Sequence, residues 1–477
     1  MTALHKLRSA GSRPGRPSKR GLWARYLGFI GSAGSQSSRS QDFSKSVPLG
    51  PRDSFFVWKG IGFVQMFLVT LTVVAIAWLG WTIVKDITAE GLAEARPREA
   101  LAWSPHNIRA FNRLSELELS DSKNAPEFVK ALSQRALVSR PIDQRALFLL
   151  GWVAERQGDS ASSDRLMALA GSRSWSDALV QTWLYDRAIK HAAFADALVH
   201  ADALLRSSNQ MPDIIFPSLA AFTASPAALD QLIQFLAVPP PWRPWYLSRL
   251  SSRLANRNRL ETLYAGLARS LHQPTPDEWK PYVNRLASDQ QFAQARQIWK
   301  ERIAPAGGDL AATPFNGDFA LPPDGTPFNW LLSSVQGADI NLVKLTDPEA
   351  TAVRLQFSGA RVDFGNVAQL LLLLPGEYTL SGLQKAESLE TARGIGWNLL
   401  CAEGTKQSVA FSDLLSGSRP WGAFQVKFRI PDQGCTAQWL RLELSARTQS
   451  EKRIEGQAWY KSLRIEPAGP AGTRSGG

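Results

Sequence analysis

The titratable side chains of this sequence do not form a recognisable catalytic site. The five histidines are scattered at positions 5, 106, 191, 200 and 272, and none belongs to a His-Glu-x-x-His motif. The sequence has no Gly-x-Ser-x-Gly turn and no phosphate-binding loop ending in Gly-Lys-Ser or Gly-Lys-Thr. Glycoside hydrolysis needs two carboxylates at a defined separation, and the fold rather than the sequence spacing sets that separation. Four carboxylates therefore remain available for this chemistry: Asp339, Glu377, Glu403 and Asp413. We expect them to be solvated surface residues, and we predict a protein that is not an enzyme and holds no metal or other cofactor.

The two cysteines, Cys401 and Cys435, offer a different chemistry. Neither has a second cysteine or a histidine nearby, which argues against a metal site. If their part of the chain is exported, an oxidising compartment permits a disulfide between them. We predict that disulfide, with a pair of buried free thiols as the alternative.

A third candidate is an aromatic surface for binding a sugar ring. In the run Gln438-Trp-Leu-Arg-Leu-Glu-Leu444, the three leucines share one face of a strand because side chains alternate with period two. Trp439, Arg441 and Glu443 must then face outward, where an indole beside charged hydrogen-bonding groups suits a pyranose. The same alternation predicts that Trp330, Trp397 and Trp459 point into the core. The alternative is that Trp439 covers a sheet edge or contacts the helical part of the chain.

The elements that would position these residues form an antiparallel β-sandwich over residues 313–467. From about residue 313, apolar side chains alternate with polar ones in short runs separated by turns, such as Pro375-Gly376. The run from Val367 to Leu374 is apolar at nearly every position after Gln369 and predicts a central strand covered on both faces. Residues 468–477 are expected to be a flexible tail.

Residues 88–308 carry a helical pattern instead, with Ala and Leu at spacings of three and four. Pro105, Pro141 and Pro212 are separated by 36 and 71 residues, and Trp175 falls 34 residues after Pro141. A period near 34–36 residues is typical of an α-solenoid built from helix pairs. Beyond Pro212 this period becomes less regular, although helix pairs are expected to continue through Trp299.

A membrane anchor precedes the helices. No charged residue lies between Gly60 and Val84, a length sufficient to cross a bilayer, so we predict a transmembrane helix over residues 55–87. Residues 1–59 contain 11 Lys or Arg and 2 Asp or Glu, whereas the rest of the chain holds 43 basic and 40 acidic residues. Because the excess of positive charge is confined to the first 59 residues, it argues against nucleic acid as a partner. It predicts that residues 1–54 form a disordered basic tail on the cytoplasmic side, touching membrane lipid, with the later domains exported.

Two resemblances extend this interpretation. Leu150-Gly151 in a first helix and Gly158-Asp159 at the following turn resemble the tetratricopeptide repeat over roughly residues 103–212. Phe315-Asn-Gly-Asp-Phe319, Val367-Ala-Gln369 and Gly376-Glu-Tyr-Thr-Leu-Ser381 are together similar to jelly-roll carbohydrate-binding modules. The latter family implies a structural calcium between an opening acidic residue and one near the last strand. Asp318 matches the first position but Lys461 stands near the second, so no calcium is expected.

The whole arrangement of anchor, degenerate repeats and jelly roll resembles proteins found with bacterial exopolysaccharide assembly machinery. It implies a single-pass protein of the inner membrane with periplasmic domains, binding protein partners in an envelope complex. The expected role is a scaffold or accessory factor in exopolysaccharide biosynthesis or export, with polysaccharide as a candidate ligand of the β-domain. The alternatives are an enzyme that modifies envelope glycans, and a structural interaction module that binds no glycan.

Overall fold

The computed structural model describes residues 63–121, 125–346, 349–404 and 407–468, and it divides after Ile214 into two compact units. The predicted cytoplasmic tail, the first residues of the predicted transmembrane helix and residues 469–477 lie outside the described part. The fold class is the one predicted, with one long apolar helix, paired helices and an antiparallel sandwich.

The first helix, α1, spans Phe63–Leu92, and its segment Met66–Leu92 is long and apolar enough to cross a membrane. Its apolar side chains lie on the surface, with Ile76 and Trp78 each more than 60% exposed, as a lipid-facing helix requires. The C-terminal end of α1 differs, because Ala89 is fully buried against Ala100 and Ala110. Helix α1 therefore continues directly into the packed helices of the first unit.

The remaining helices pack mainly in pairs. Their bounds are α2 Pro97–Trp103, α3 Ile108–Asp121, α4 Ala125–Ser139, α5 Gln144–Arg156, α6 Ser160–Arg173, α7 Ala178–Lys190, α8 Phe194–Ser207, α9 Met211–Phe222, α10 Pro226–Leu236, α11 Arg243–Arg253, α12 Arg257–Ala268, α13 Pro276–Ser288 and α14 Phe292–Arg302. The first helices of successive pairs, from α3 to α13, begin 32 to 36 residues apart. The predicted helix pairs are thus confirmed, while their membership of the tetratricopeptide class stays a prediction.

A repeated cap explains why the early pairs begin where they do. Asn107, Asp143 and Asp177 each precede a first helix, and each side chain accepts a hydrogen bond from the N–H three residues later, at 2.8, 2.9 and 3.3 Å. Such caps satisfy N–H groups that have no partner inside the helix. The Pro105 and Pro141 positions lie two residues before two of these caps, which is why the prolines follow the repeat.

The second unit contains an ion pair buried among its helices. Arg243, 2% exposed, donates two hydrogen bonds of 2.7 Å to the Glu278 carboxylate, which is 3% exposed. Burial acts to raise the pKa of Glu278, but hydrogen bonds from Arg243 and Thr275 outweigh it and hold this pKa below its ordinary value. Arg243 also donates to two backbone carbonyls, so its charge is well satisfied.

The sandwich follows the helices and has ten strands among the residues that the structure describes. They are β1 Leu331–Leu332, β2 Ala338–Thr346, β3 Glu349–Arg361, β4 Val367–Leu371, β5 Gly376–Thr391, β6 Ile395–Cys401, β7 Ser408–Phe411, β8 Gly417–Ile430, β9 Gln438–Leu444 and β10 Arg453–Pro467. The first sheet has the order β1-β4-β9-β6-β7 and the second β2-β3-β10-β5-β8, with every pairing antiparallel. All five residues of β4 are buried, as predicted, although the strand ends at Leu371 and Leu374 is exposed.

Trp330 and Trp397 lie in the core between the sheets, with ring centroids 5.7 Å apart, as the alternation predicts. The prediction for Trp459 is right about its burial, since the residue is 8% exposed, but wrong about the face of the strand. Its neighbours Ala458 and Tyr460 are core residues, so Trp459 faces outward. The cause is a β-bulge between Lys461 and Arg464, where Ser462 has a positive φ of 54°. Beyond the bulge the two faces of β10 are exchanged. Leu463 and Ile465 therefore point into the core, although simple alternation would put them on the same face as Trp459.

Candidate functional site

The cysteine pair fixes the strand that carries Trp439. Cys401 at the end of β6 and Cys435 before β9 form a disulfide with an S–S distance of 2.05 Å, as predicted. Next to it, the fully buried Gln438 donates a hydrogen bond of 2.7 Å to the Cys435 carbonyl and accepts one of 2.9 Å from the Leu373 N–H. The start of β9 is therefore held both covalently and by hydrogen bonds, which fixes the backbone of Trp439.

Trp439 lies on the outer face of the first sheet, as predicted. Leu440 and Leu442 are completely buried in the core, so the residues between them point the other way. Trp439 is half-buried and stands opposite Leu370 of β4 and Leu400 of β6. Its ring thus sits between two leucines on a sheet surface.

A cavity of about 410 Å³ lies beside this ring, between the sandwich and the last helix pair of the same unit. Trp439, Ala402, Pro327 and Leu331 line it from the sandwich, and Asn284, Ala287, Ser288, Gln290 and Phe292 line it from α13, the following turn and α14. Three of the helical residues carry exposed polar side chains: Asn284, Ser288 and Gln290. One wall therefore offers an aromatic plane and the opposite wall amide and hydroxyl groups.

Arg441 and Glu443 share the outer face with Trp439 but not the cavity. They contact each other at 3.3 Å, and Glu443 accepts a hydrogen bond of 2.8 Å from Asn398 of β6. Asn398 in turn accepts one of 2.7 Å from Ser408 of β7. The two charged residues belong to a polar chain running across three strands, so of the three predicted residues only Trp439 lines the cavity.

The sequence pattern did not reveal a second aromatic and cationic surface, on the outer face of the second sheet. Lys385 lies 4.9 Å from the ring centre of Trp459, and Lys461 lies 4.7 Å from that of Trp421. These contacts cross β10, β5 and β8. The sequence pattern missed this surface because simple alternation along β10 assigns Trp459 to the core, and the bulge that reverses this assignment was not predicted. We call these four residues the lysine–tryptophan cluster.

The carboxylates considered for hydrolysis lie on separate elements. Asp339 is in β2, Glu377 in β5, Glu403 in the turn after β6 and Asp413 between β7 and β8. Glu403 accepts hydrogen bonds from the backbone N–H and the hydroxyl of Thr436. Across the described ranges, no group of three or more His, Cys, Asp or Glu is arranged to hold a metal ion.

The histidines whose contacts are defined make structural hydrogen bonds. His200 Nδ1 lies 2.7 Å from the Gln181 side-chain oxygen, and its ring stacks on Trp175. Burial lowers the pKa of His200, which favours the neutral ring at neutral pH. His272 Nδ1 lies 3.0 Å from the Ala237 carbonyl oxygen.

The helical repeats of the first unit present a small polar cavity of about 80 Å³ between α5 and α7. Arg156 covers the ring of Trp152 at 4.7 Å, and Arg187 covers that of Trp183 at 5.7 Å. Asp186 also lines this cavity, and burial raises its pKa. Arginine and tryptophan side chains exposed in this way are common in protein-binding surfaces.

No protein-family profile matches the chain, and no curated protein matches it significantly. Several solved carbohydrate-binding modules are structurally similar to about a third of it. A CBM4 module has 17% identity and a TM-score of 0.26, with 32% of this chain and 98% of the module covered. The CBM22-1 xylan-binding domain of Paenibacillus barcinonensis Xyn10C has 12% identity and a TM-score of 0.22, covering 35% and 100%. TmCBM61, solved with β-1,4-galactotriose, has 13% identity and a TM-score of 0.21, covering 32% and 92%. Scores this low identify no ligand.

Proposed function

We propose that this chain is a membrane-anchored, non-catalytic envelope protein that binds a saccharide in the cavity beside Trp439. The observation that carries the proposal is the cavity itself. Its volume of about 410 Å³ falls in the range of small-molecule sites, roughly 300–1,000 Å³. An indole on one wall suits the apolar C–H face of a pyranose, and amide and hydroxyl groups on the other wall suit the hydroxyls around the edge of the ring.

The rigidity of the aromatic wall supports binding. The disulfide and the hydrogen bonds of Gln438 hold the start of β9, so the backbone that carries the ring is fixed before a ligand arrives. A preorganised ring loses little conformational entropy on binding. The polar side chains come from α13 and from the turn that follows it, where Gln290 adopts a positive φ of 59°. A ligand in this cavity would therefore contact both the sandwich and the adjacent helix pair.

The apolar helix and the disulfide support the proposed compartment. Helix α1 has the length and composition of a membrane span, and the basic segment before it favours the cytoplasm for the N-terminus. The disulfide Cys401–Cys435 fits an oxidising compartment for the sandwich. In this topology the helical repeats and the sandwich are periplasmic domains of an inner-membrane protein.

The repeats would bind protein partners of the same envelope complex, and the Trp152–Trp183 surface is the candidate contact. A role as scaffold or accessory factor in exopolysaccharide biosynthesis or export rests on the resemblance of the domain order. The second candidate is a structural role in which Trp439 only packs near the helix pair. It is favoured by the half-buried position of that ring.

Glycan-array binding of the full-length protein in detergent tests the proposal. At least one saccharide should bind, and Trp439→Ala should weaken its binding by about 5- to 30-fold, the loss expected for one stacked aromatic ring. Trp245→Ala is the matched control, because Trp245 is 50% exposed on α11 and does not line the cavity. Equal binding by wild type and Trp439→Ala would contradict the proposed site. Binding to no saccharide would favour the structural role.

A further inference from the structure

Helix α3 runs beside the end of α1 in the same direction. Arg109 Nη1 donates a hydrogen bond of 2.7 Å to Glu90, and Arg113 Nε lies 3.8 Å from Glu94. Residues four apart on one helix thus meet residues four apart on the other in the same order, so the two axes are roughly parallel. The turn before α3 also contacts α1, because Asn107 donates a hydrogen bond of 3.2 Å to Glu90. Helix α3 therefore begins beside Glu90 and leads away from the apolar part of α1.

The apolar part of α1 ends close to that turn. The exposed apolar side chains run from Met66 to Ile87, and the Lys85 ammonium lies 5.6 Å from the centre of the Trp81 ring. With α1 as the membrane span, this pair marks the membrane–water interface, where Trp and Lys are typical. Glu90 lies about 7.5 Å beyond Lys85 along the helix axis. The headgroup layer on one side of a bilayer is about 5–8 Å thick, so the turn before α3 stands at its outer boundary.

Two later turns lie at the same edge of the first unit. Helices α3 to α7 are joined by three or four residues, and each contacts the next. Helices connected so shortly run in opposite directions, so every second turn lies at the same edge. We call the turns before α3, α5 and α7 the cap turns, after their capping residues: 104–107, 140–143 and 174–177.

Side-chain contacts support this arrangement of the cap turns. Asn112 of α3 donates a hydrogen bond of 3.3 Å to the capping carboxylate of Asp143, which places the first two turns side by side. Glu155, near the end of α5, lies 3.6 Å from Arg187, near the end of α7. Helices that end together after a similar length also begin together, so the third turn lies beside the second.

The cap turns expose apolar and cationic side chains. Four large apolar residues are exposed in these turns or within two residues before them: Trp103 (41%), Val138 (85%), Ile142 (62%) and Trp175 (55%). Arg140 and Arg173 are exposed in the same stretches, whereas the two acidic residues there accept helix-cap hydrogen bonds. The turns at 157–159 and 191–193, on the opposite edge, carry no large apolar side chain. The two edges of the first unit therefore differ in the way that a membrane-facing and a water-facing edge would.

We propose that the cap turns dock on the surface of the membrane that α1 spans. Trp103, Ile142 and Trp175 would enter the interfacial layer, as the apolar residues of peripheral membrane segments do. Arg140 and Arg173 would bind the phosphates of anionic lipid headgroups, with which a guanidinium forms paired hydrogen bonds. A bilayer is the fitting occupant because the first cap turn is held to α1 at headgroup level. This docking rests on the membrane span proposed for α1 and is independent of saccharide binding.

Spin labels on single introduced cysteines test the docking in the full-length protein, reconstituted in vesicles of phosphatidylcholine and phosphatidylglycerol. Without reductant the native disulfide Cys401–Cys435 takes up no label. Ile142→Cys reports on the cap turns, and Gln157→Cys, at an exposed position of the opposite edge, is the matched control. Collisions of the label with oxygen, which dissolves in lipid, are compared with collisions with a water-soluble nickel chelate. The ratio of oxygen to nickel collisions should be several-fold higher at position 142 than at position 157.

A label at Ile76→Cys, near the middle of α1, separates the possible outcomes. A lipid-accessible label at 76 with equal ratios at 142 and 157 would overturn the docking and leave the span intact. A water-accessible label at 76 would overturn the span and the docking together. If Ile142→Cys fails to fold, Val138→Cys must give the higher ratio for the proposal to stand.

The lipid charge is tested in the same experiment. Vesicles of phosphatidylcholine alone should lower the ratio at position 142, and so should Arg140→Gln combined with Arg173→Gln in the mixed vesicles, because each arginine near an anionic surface contributes to binding. A ratio unchanged by both would overturn the proposed contact with anionic headgroups.

Discussion

The assignment of strand faces in β9 and β6 is tested by two tryptophan deletions. Trp397 is 1% exposed, and its ring lies 5.5 Å from Tyr460 and 5.7 Å from Trp330, measured between centroids. Trp397→Ala removes a core aromatic and should cost about 3–5 kcal/mol of unfolding free energy. Trp439 is half-buried on the outer face, so its ring loses far less contact. We expect Trp439→Ala to cost at most about 1–2 kcal/mol, a fraction of the area burial of a whole ring.

Hydrogen exchange followed by mass spectrometry is the appropriate assay, because the chain has two compact units and a whole-chain melting curve would combine them. Peptides covering β9 report opening of the sandwich alone. When the opening equilibrium governs the exchange rate, exchange of these peptides should accelerate roughly 150- to 5,000-fold in Trp397→Ala and about 5- to 30-fold in Trp439→Ala. A larger acceleration in Trp439→Ala than in Trp397→Ala would refute the assignment of faces, and with it the aromatic wall of the cavity.

Three further predictions concern the disulfide, the buried ion pair and the topology. Cys401→Ser with Cys435→Ser should destabilise the sandwich by about 2–4 kcal/mol, measured by the same exchange assay; unchanged exchange would contradict this. Arg243→Met should cost about 3–5 kcal/mol because it leaves the Glu278 carboxylate buried without its cation, and Arg253→Met on the same helix, at an exposed residue, is the control. Because the pKa of Glu278 is lowered in the folded state, the stabilisation by the Arg243–Glu278 pair should be present at neutral pH and lost as the pH falls through that lowered value. If Arg243→Met reduced exchange protection equally at every pH, this account of the ion pair would be contradicted. A periplasm-specific reporter fused after residue 310 should be active, and activity only in a fusion before residue 55 would reverse the proposed topology.

The elements were predictable because their periods are local. Alternation in β9 placed Leu440 and Leu442 inside and Trp439 outside, and the proline spacing followed the caps at Asn107 and Asp143. Those features depend on residues a few positions apart. The same local rule failed at Trp459, because one bulged residue, Ser462, exchanges the faces of β10 and leaves no clear mark in the sequence.

The site was less predictable than the elements. The cavity joins Gln290 and Phe292 of the last helix pair to Ala402 and Trp439, more than a hundred residues further along the chain. No periodic pattern in the sequence predicts that residues so far apart in the chain line the same cavity. Arg441 and Glu443 were placed on the correct face, but their hydrogen bonds lead to Asn398 and each other and not to the cavity.

Filling the cavity without altering Trp439 tests the central claim most directly. Ala287 lines the cavity from α13, so Ala287→Phe should place a ring in the space that a saccharide would occupy. Ala265→Phe, at an exposed position of α12, introduces the same side chain elsewhere. For the saccharide that binds the wild-type protein through Trp439, Ala287→Phe should abolish detectable binding in calorimetry while Ala265→Phe retains the wild-type affinity. Wild-type affinity in Ala287→Phe, with exchange protection of the sandwich unchanged, would contradict saccharide binding in this cavity.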